Sequence, residues 1–377
     1  MRRLKIVFLD FDDMKNHLLA GGQARATQEV AKRLVQLKHE VTVVCSRFPG
    51  SKDSFNEGIF YKHIGLGSSN IKLNNLIFFL ALPFAVSKLK ADVVIECFTA
   101  PISTCFSPLF TKIPVIGMPT MFEAKEFAKK YHLPFHWIEK IGSRFYKYFL
   151  AYSKNNKAKM EKLNPNIHTK IIPNGVTEEW FSVNGEDKDY ALFIGRIDIV
   201  QKSQDKLLEA CKLLPRNFPV KIVIAGNGPV GEEKKLKKMI LDFNISRLVE
   251  FVGRVDGKKR EDLMKHSMFG IYPSRFEDFP LVPLEFAALN KPLICADVLG
   301  MAWVPEKVAI KVDSNNPNNL ADALVKMATD KKMRIEMKKH CRPFAKKYGW
   351  NAIAKQYEEF CYEVIKIEMQ KKKGGQI

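Results

Sequence analysis

The sequence is short of the patterns that mark several protein classes. Its seven cysteines, Cys45, Cys97, Cys105, Cys211, Cys295, Cys341 and Cys361, form no CxxC pair, and its eight histidines form no HExxH grouping. Neither a structural zinc site nor a disulfide framework is therefore expected. Several cysteines sit inside apolar runs such as VTVVC and PLICA, which reads as buried free thiols in a reducing, cytoplasmic setting. No apolar run approaches the ~18 residues that a membrane-spanning helix needs. The longest, Leu76 to Val86 (LIFFLALPFAV), contains Pro83 and is expected to be a buried helix. The opening MRRLKIVFLDFDD has no small-residue cleavage site and runs into acids at Asp10, Asp12 and Asp13, so it reads as a first strand and not a signal peptide.

Acidic residues are scarce in the first half. Residues 1–172 hold 26 Lys and Arg against 13 Asp and Glu, two thirds of the net charge of +20 carried by all 377 residues. A surplus of that kind suits an anionic partner: nucleic acid, an anionic membrane surface or a phosphorylated substrate. A hydrophobic fraction of 46% with 27% charged residues excludes a disordered chain. The length suits two domains.

The chain alternates strand-like and helix-like segments twice. LKIVFLD (Leu4 to Asp10) precedes a Gly21-Gly22 turn and the helical stretch QARATQEVAKRLVQLKH, and then come EVTVVCS, ADVVIECF and IPVIGMP. After PNIHTKIIPNGV a second series follows: YALFIGR, VKIVIAGNG, VEFVGR, MFGIYPS, PLICAD and VAIKV, with helical stretches between. Continuous apolar strands separated by helices predict parallel sheets covered on both faces. The expected fold class is α/β with two Rossmann-like doubly wound domains, 1–172 and 173–350, and a closing helix, 351–377, that packs back on the first domain.

In such sheets ligands bind beyond the carboxyl ends of strands, and three segments there carry candidate chemistry. Gly21 and Gly22 let the backbone approach an anion at a helix start. In FIGRIDIVQKSQD, Gly195 and Arg196 end a strand and Lys202 follows six residues on, a pair of cations suited to a pyrophosphate. In YPSRFEDFPLVPLEFAA, Glu277 follows a strand and Glu285 lies eight residues later. If that stretch were fully helical it would rise about 12 Å, a useful span between a sugar and a ribose. Phe279, Pro280 and Leu281 lie between the two acids, and Pro280 is placed to open the helix as its first residue.

The glycine loop, IIPNGV, GR…K, VIAGNGP, VEFVGRV and a Glu-x7-Glu segment ending in LEFAALNKPLICAD occur in an order that resembles the retaining glycosyltransferase family 4, the group 1 family, with the GT-B fold of two domains facing across a cleft. The resemblance covers essentially the whole chain. It implies a nucleotide-diphosphate-sugar donor on the second domain, with Arg196 and Lys202 on the diphosphate, Glu277 on the sugar and Glu285 on the ribose. Gly195, Phe279, Pro280 and Leu281 would line the donor site, and the backbone at Arg254 and Val255 would lie beside the base. The glycine loop, Gly21 and Gly22, would close over the phosphates. Arg196, Lys202 and Glu277 are the expected catalytic residues, with retention of anomeric configuration, no cofactor and no metal. Asp10-Phe11-Asp12 formally matches a DxD metal motif but ends the first strand and is not read as one.

One departure concerns a histidine that many relatives carry where this chain reads Met118-Pro119-Thr120-Met121-Phe122-Glu123. Its lack keeps open a non-catalytic nucleotide-sugar-binding protein, beside a nucleotide-sugar epimerase. The acceptor is expected to be a glycan or lipid-linked molecule bound by the first domain, in cell-surface polysaccharide or glycolipid synthesis. From Lys129 the segment KKYHLPFHWIEKIGSRFYKYFLAYSKNNKAK interleaves aromatic and basic residues, a composition that suits an anionic bilayer. Peripheral attachment to the inner face of the membrane follows as an expectation. No nucleic-acid recognition motif accompanies the charge.

Overall fold

The computed structural model describes residues 2–98, 106–119, 124, 128, 132 and 134–374. The chain divides into two compact units, Met1–Asn174 with Trp350–Ile377, and Gly175–Gly349.

The first unit is built on an eight-stranded sheet. Its strands are β1 (Lys5–Leu9), β2 (Glu40–Ser46), β3 (Ser54–Asn56), β4 (Ile59–Ile64), β5 (Val93–Phe98), β6 (Val115–Pro119), β7 (Tyr148–Ala151) and β8 (His168–Ile171). The order is β3-β4-β2-β1-β5-β6-β7-β8. All pairings are parallel except β3 with β4. The first strand of that hairpin, only three residues long, has no strong signal in sequence. The hairpin turns at Glu57 and Gly58, both with positive φ (50° and 78°), the backbone a tight hairpin turn requires. Helix α1 (Gly22–Gln36) and the closing helix Trp350–Gly374 pack together. Arg33 Nε donates to Asn351 Oδ1 at 2.8 Å, and the buried His39 Nε2 meets Glu358 Oε1 at 2.8 Å.

Helix α2 (Ile71–Ser87) contains the longest apolar run. The expectation of a buried helix needs correction. Phe78, Leu82 and Val86 are buried against the sheet core, whereas Leu73, Leu76, Leu80 and Phe84 are exposed. The run is apolar all round, but the sheet covers only one side of it.

The second unit has six parallel strands: β9 (Tyr190–Ile194), β10 (Lys221–Ala225), β11 (Val249–Gly253), β12 (Phe269–Tyr272), β13 (Leu293–Ala296) and β14 (Ala309–Val312). They run in the order β11-β10-β9-β12-β13-β14. Phe193, Ile222, Ile224, Phe269, Ile271 and Ile294 are fully buried in its core. The chain fills one side of β9 with β10 and β11, then crosses to the other side with β12. The strand order thus reverses between β9 and β12, and helices connecting to opposite faces open a crevice at their carboxyl ends.

Glycines close the loops at that end. Gly195 N–H bonds Ala225 O at 3.0 Å, Gly226 N–H bonds Gly253 O at 2.8 Å, and Ile197 N–H bonds Asn227 O at 2.9 Å. A Cβ on Gly226 (φ +147°) would lie 1.7 Å from Gly195 O. Gly226→Ala therefore forces the β9 and β10 loops apart. At about 1–3 kcal/mol for backbone strain and about 2–4 °C per kcal/mol for a unit of this size, its melting temperature should fall by about 5 °C. Calorimetry of the variant checks this, and an unchanged melting temperature would refute it.

Candidate active site

The β9/β12 crevice gathers the strongest candidates. After β9 the chain runs through Gly195 and Arg196 to the short helix Ile199–Lys202. Asp198 caps that helix by accepting from Gln201 N–H at 3.1 Å. Ser203 follows with φ +57° and turns the chain into the helix Gln204–Leu213. This kink aims Lys202 inward, where its side chain is only 10% exposed. Lys202 Nζ donates to Tyr272 Oη at 3.0 Å and to Glu277 Oε1, and Tyr272 Oη donates to the same Glu277 oxygen at 3.0 Å. Glu277 is itself 8% exposed. Burial, and next the charge of Glu277, push the Tyr272 phenol well above its ordinary pKa. It stays a neutral donor. An ammonium has three N–H bonds, and the third N–H of Lys202 has no partner among the described residues.

Arg196 lies at the mouth. Its side chain is 47% exposed, bonded to Gln201 Oε1 and 3.5 Å from Asp198. Arg275 locks this loop to the end of β12. It grips Asp205 with two bonds of 3.0 and 2.9 Å, donates to Val200 O at 2.5 Å, and its backbone N–H bonds Gln201 O at 2.9 Å. A Cβ on Gly300 would lie 1.7 Å from Glu277 O, so the loop after β13 presses directly on the backbone of Glu277.

Glu285 occupies a second buried position, on the helix Leu281–Ala288. Arg260 Nη2 donates to its Oε2 at 2.5 Å, and the guanidinium lies 5.7 Å over the Trp180 ring. Only Leu281 to Glu285 of the Glu-x7-Glu stretch is helical, so the two acids are not separated by a fully helical rise. Pro280 is the residue before the helix and not its first residue, with φ −71° and ψ 145°. Its extended backbone turns the chain sharply into the helix, and Leu281 takes the first helical position. Phe279 is buried and stacks on Trp303 at 4.0 Å and 14°. Arg254 pairs with Asp256 at 2.7 Å near the surface, and Val255 beside it is buried. All these residues belong to the second unit.

Gly21 and Gly22 belong to the first unit. Gly21 caps α1 without a side-chain partner, and the first turn of α1 has no acid. Asp12 shapes this loop: its carboxylate accepts from Gly21 N–H at 2.7 Å and from Ala20 N–H at 3.2 Å. Asp10, fully buried, accepts from Thr27 Oγ1 at 2.5 Å. Burial, with the neighbouring Asp10 charge against it, raises the Asp12 pKa to about 7, and burial raises that of Asp10.

Asp13, Cys45 and His63 come together with ligand atoms within 4.8 Å of one another. They come from three separate segments, and no local spacing marks them. His63 Nε2 is held by Asp13 at 2.9 Å, and burial beside the aspartates drives the Cys45 thiol far above its ordinary pKa. One HxxxH spacing, His132 to His136, straddles Pro134, and only His136 lies on the helix Phe135–Gly142. Met118 is buried under Tyr357, whose Oη lies 3.1 Å from its sulfur. Thr120 to Glu123 lie outside the described residues.

The structure sets Tyr272, Arg275, Arg260, Trp180, Gly300 and Asp12, which carry no sequence signal on their own, against the sequence candidates Arg196, Lys202, Glu277, Glu285 and Gly21. Tyr272 is marked only by its place as the last residue of a strand next to the switch point. Arg260 lacks even that, because it stands 25 residues from Glu285.

Two family models match in tandem: Glycosyltransferase Family 4 over residues 20–180 and Glycosyl transferases group 1 over residues 176–347. An uncharacterized glycosyltransferase of Methanocaldococcus jannaschii is 28% identical over 229 residues, 56% of this chain and 63% of that protein. The D-inositol 3-phosphate glycosyltransferase of Corynebacterium urealyticum is 30% identical over 175 residues, 44% of this chain and 41% of that protein. The matched stretches thus span less than two thirds of those relatives. Among solved structures, sucrose-phosphate synthase from Thermosynechococcus elongatus aligns at TM-score 0.81 with 17% identity, over 97% of this chain and 100% of that one. Anabaena HepE in complex with UDP-glucose aligns at 0.76 with 16% identity, over 96% and 100%. At these identities the likeness shows the fold, the GT-B class of two parallel-sheet α/β units.

The buried Asp12 carries a pH dependence. In the fold it keeps its proton up to about pH 7, whereas an unfolded Asp loses it near pH ~4. Between those values the folded state binds more protons, so this group makes stability fall as pH rises. Asp12→Asn should flatten the decline of melting temperature between about pH 4 and 7. An unchanged slope would show that Asp12 is ionised throughout.

Proposed function

The chain belongs to the group 1 glycosyltransferases of glycosyltransferase family 4, and from that premise we propose that it transfers a sugar from a nucleoside-diphosphate sugar to an acceptor hydroxyl. The observation that carries this reading is the buried Lys202–Tyr272–Glu277 cluster beside Arg196 at the β9/β12 switch point. It sets two cations and a carboxylate where an α/β sheet binds ligands.

In this reading the donor diphosphate draws Lys202 away from Glu277 and takes a bidentate bond from Arg196. Glu277, freed of Lys202, accepts from the sugar hydroxyls, and Glu285 accepts from the ribose hydroxyls. The base lies by Arg254 and Val255, with Gly195, Phe279, Pro280 and Leu281 shaping the pocket. The bond from the anomeric carbon to the phosphate oxygen breaks with its electron pair on the phosphate, where Arg196 and Lys202 stabilise the developing charge. The acceptor oxygen forms its bond on the same face and passes its proton to the departing phosphate. Configuration is retained, and no divalent metal enters.

The surplus of positive charge on the first unit supports a glycan or lipid-linked acceptor there. It also supports work at the inner face of a membrane in polysaccharide or glycolipid synthesis. The solved UDP-glucose complex of HepE makes UDP-sugars the first donors to try.

The test is thermal stabilisation by a panel of nucleotides and nucleotide-sugars without added metal, each variant compared with its own ligand-free form. A ligand at 100 times its Kd adds about 2.7 kcal/mol. One diphosphate-sugar should shift melting, and Arg196→Ala or Glu277→Ala should remove the shift. No shift by any nucleotide would overturn the donor site. A shift without release of nucleoside diphosphate in the presence of any acceptor would favour the non-catalytic binding protein.

A further inference from the structure

The outward face of α2 lies in the first unit and carries a run of exposed apolar side chains. Leu76, Leu80 and Phe84 are 49%, 55% and 73% exposed. Residues four apart lie along one ridge of a helix. Lys72, Leu76, Leu80, Phe84 and Lys88 form such a ridge, with the exposed Leu73 beside it. Between Lys72 and Lys88 the helix carries no charge at all. At 1.5 Å per residue the apolar ridge from Leu76 to Phe84 runs about 12 Å, between ammonium groups about 24 Å apart along the helix. The 3-10 turn Ser107–Leu109 packs on the helix and adds exposed Leu109 and Phe110, with the exposed Lys112 next to them.

The Phe84 end leads into a basic hollow. Two residues past Lys88, Lys90 joins Arg2, Arg3 and Lys5 in lining a cavity of about 500 Å³. Arg2 is paired with Asp92 at 2.7 Å and Lys5 with Glu40 at 3.5 Å, so Arg3 and Lys90 give the hollow its net positive charge.

We propose that this face of α2 docks the protein on an anionic lipid bilayer. The helix would lie in the membrane plane, with Leu76, Leu80 and Phe84 among the acyl chains and Lys72, Lys88 and Lys90 reaching the headgroup phosphates. The chemistry is that of an interfacial helix: an exposed apolar face, cationic ends that extend to the headgroup layer, and a length that lies on a bilayer without crossing it. No helix among the described residues is long and apolar enough to cross a membrane. A second copy of this chain fits the stripe poorly. Two such faces would bring together surfaces that each carry the surplus of residues 1–172, 26 Lys and Arg against 13 Asp and Glu. Phe106, just before the 3-10 turn, meets Phe145 of the basic aromatic segment at 5.9 Å between ring centroids, and Trp137 serves as the probe for that segment. The docking surface deepens the proposed function, resting on that reading only for the idea that the enzyme works at a membrane.

The test is flotation of the full chain with vesicles of phosphatidylcholine alone and of three parts phosphatidylcholine to one part phosphatidylglycerol. The wild type should float with the anionic vesicles only, and high salt should release it. The variant Leu76→Ser/Leu80→Ser/Phe84→Ser alters exposed side chains only. It should bind at least tenfold more weakly while keeping its melting temperature and any nucleotide-induced shift. Lys88→Glu/Lys90→Glu should weaken binding further with vesicles of the same composition. Full retention of binding by the triple variant would overturn the proposal, and loss on Trp137→Ser alone would move docking to that segment. Failure of the wild type to bind anionic vesicles would also overturn it. So would a wild-type dimer that the triple variant converts to monomer, since the stripe would then be a copy-to-copy contact. Loss of vesicle binding with the nucleotide shift intact separates this surface from the donor site.

Discussion

Everything in the second unit's candidate site depends on how Lys202 is held. A lysine ammonium buried to 10% exposure has lost much of its hydration, and it stays in place only because Glu277 and Tyr272 replace that water. Such a pair adds little net stability, because desolvation offsets most of the attraction, yet removing one partner strands a buried charge. The surrounding structure is arranged around that constraint. Asp198 and Ser203 shape the one-turn helix that aims Lys202 inward, Arg275 clamps the helix to β12, and Gly300 lets the β13 loop brace Glu277 from behind. A cation kept beside a carboxylate that an anionic ligand can displace is a site poised for exchange. In the function proposed above, an incoming diphosphate would offer Lys202 a stronger partner and free Glu277 for hydroxyl groups in the same step.

The first unit obeys a different constraint, which is an excess of cation over anion. Its few buried acids are spent on architecture. Asp12 ties down the backbone of Ala20 and Gly21, Asp10 holds Thr27, and Asp13 holds His63. Over residues 1–172 lysine and arginine outnumber the acids two to one, and part of that surplus lies beside the exposed apolar side of α2. Charge of one sign next to uncovered hydrocarbon suits a surface with the reverse arrangement, phosphate outside and acyl chain within.

The fold was largely legible in the sequence because parallel strands buried on both faces leave continuous apolar runs. EVTVVCS and VKIVIA are strands with close to the expected bounds. The hairpin at Glu57-Gly58 escaped because β3 has only three residues and none of them buried, although β4 is six residues long with alternating burial. The apolar run in α2 misled in a specific way: composition says that a helix is apolar, but not which side a neighbour covers. In the site, residues at strand ends followed by a helix were readable, as with Arg196, Lys202 and Glu277. Partners contributed from a distance were not. Arg260 reaches Glu285 from another helix, and Asp12 reaches Gly21 from the start of the loop after β1, and neither contact has any local signature. The Asp13–Cys45–His63 group shows the same limit for possible ligands, since its members come from three segments.

The most direct test is a structure of the protein with a bound nucleoside diphosphate. The account predicts phosphate oxygens within hydrogen-bond distance of Lys202 Nζ and Arg196, with the Lys202–Glu277 contact opened and the Glu277 carboxylate turned toward the sugar position. A diphosphate bound elsewhere, or bound here with Lys202 still on Glu277, would contradict it.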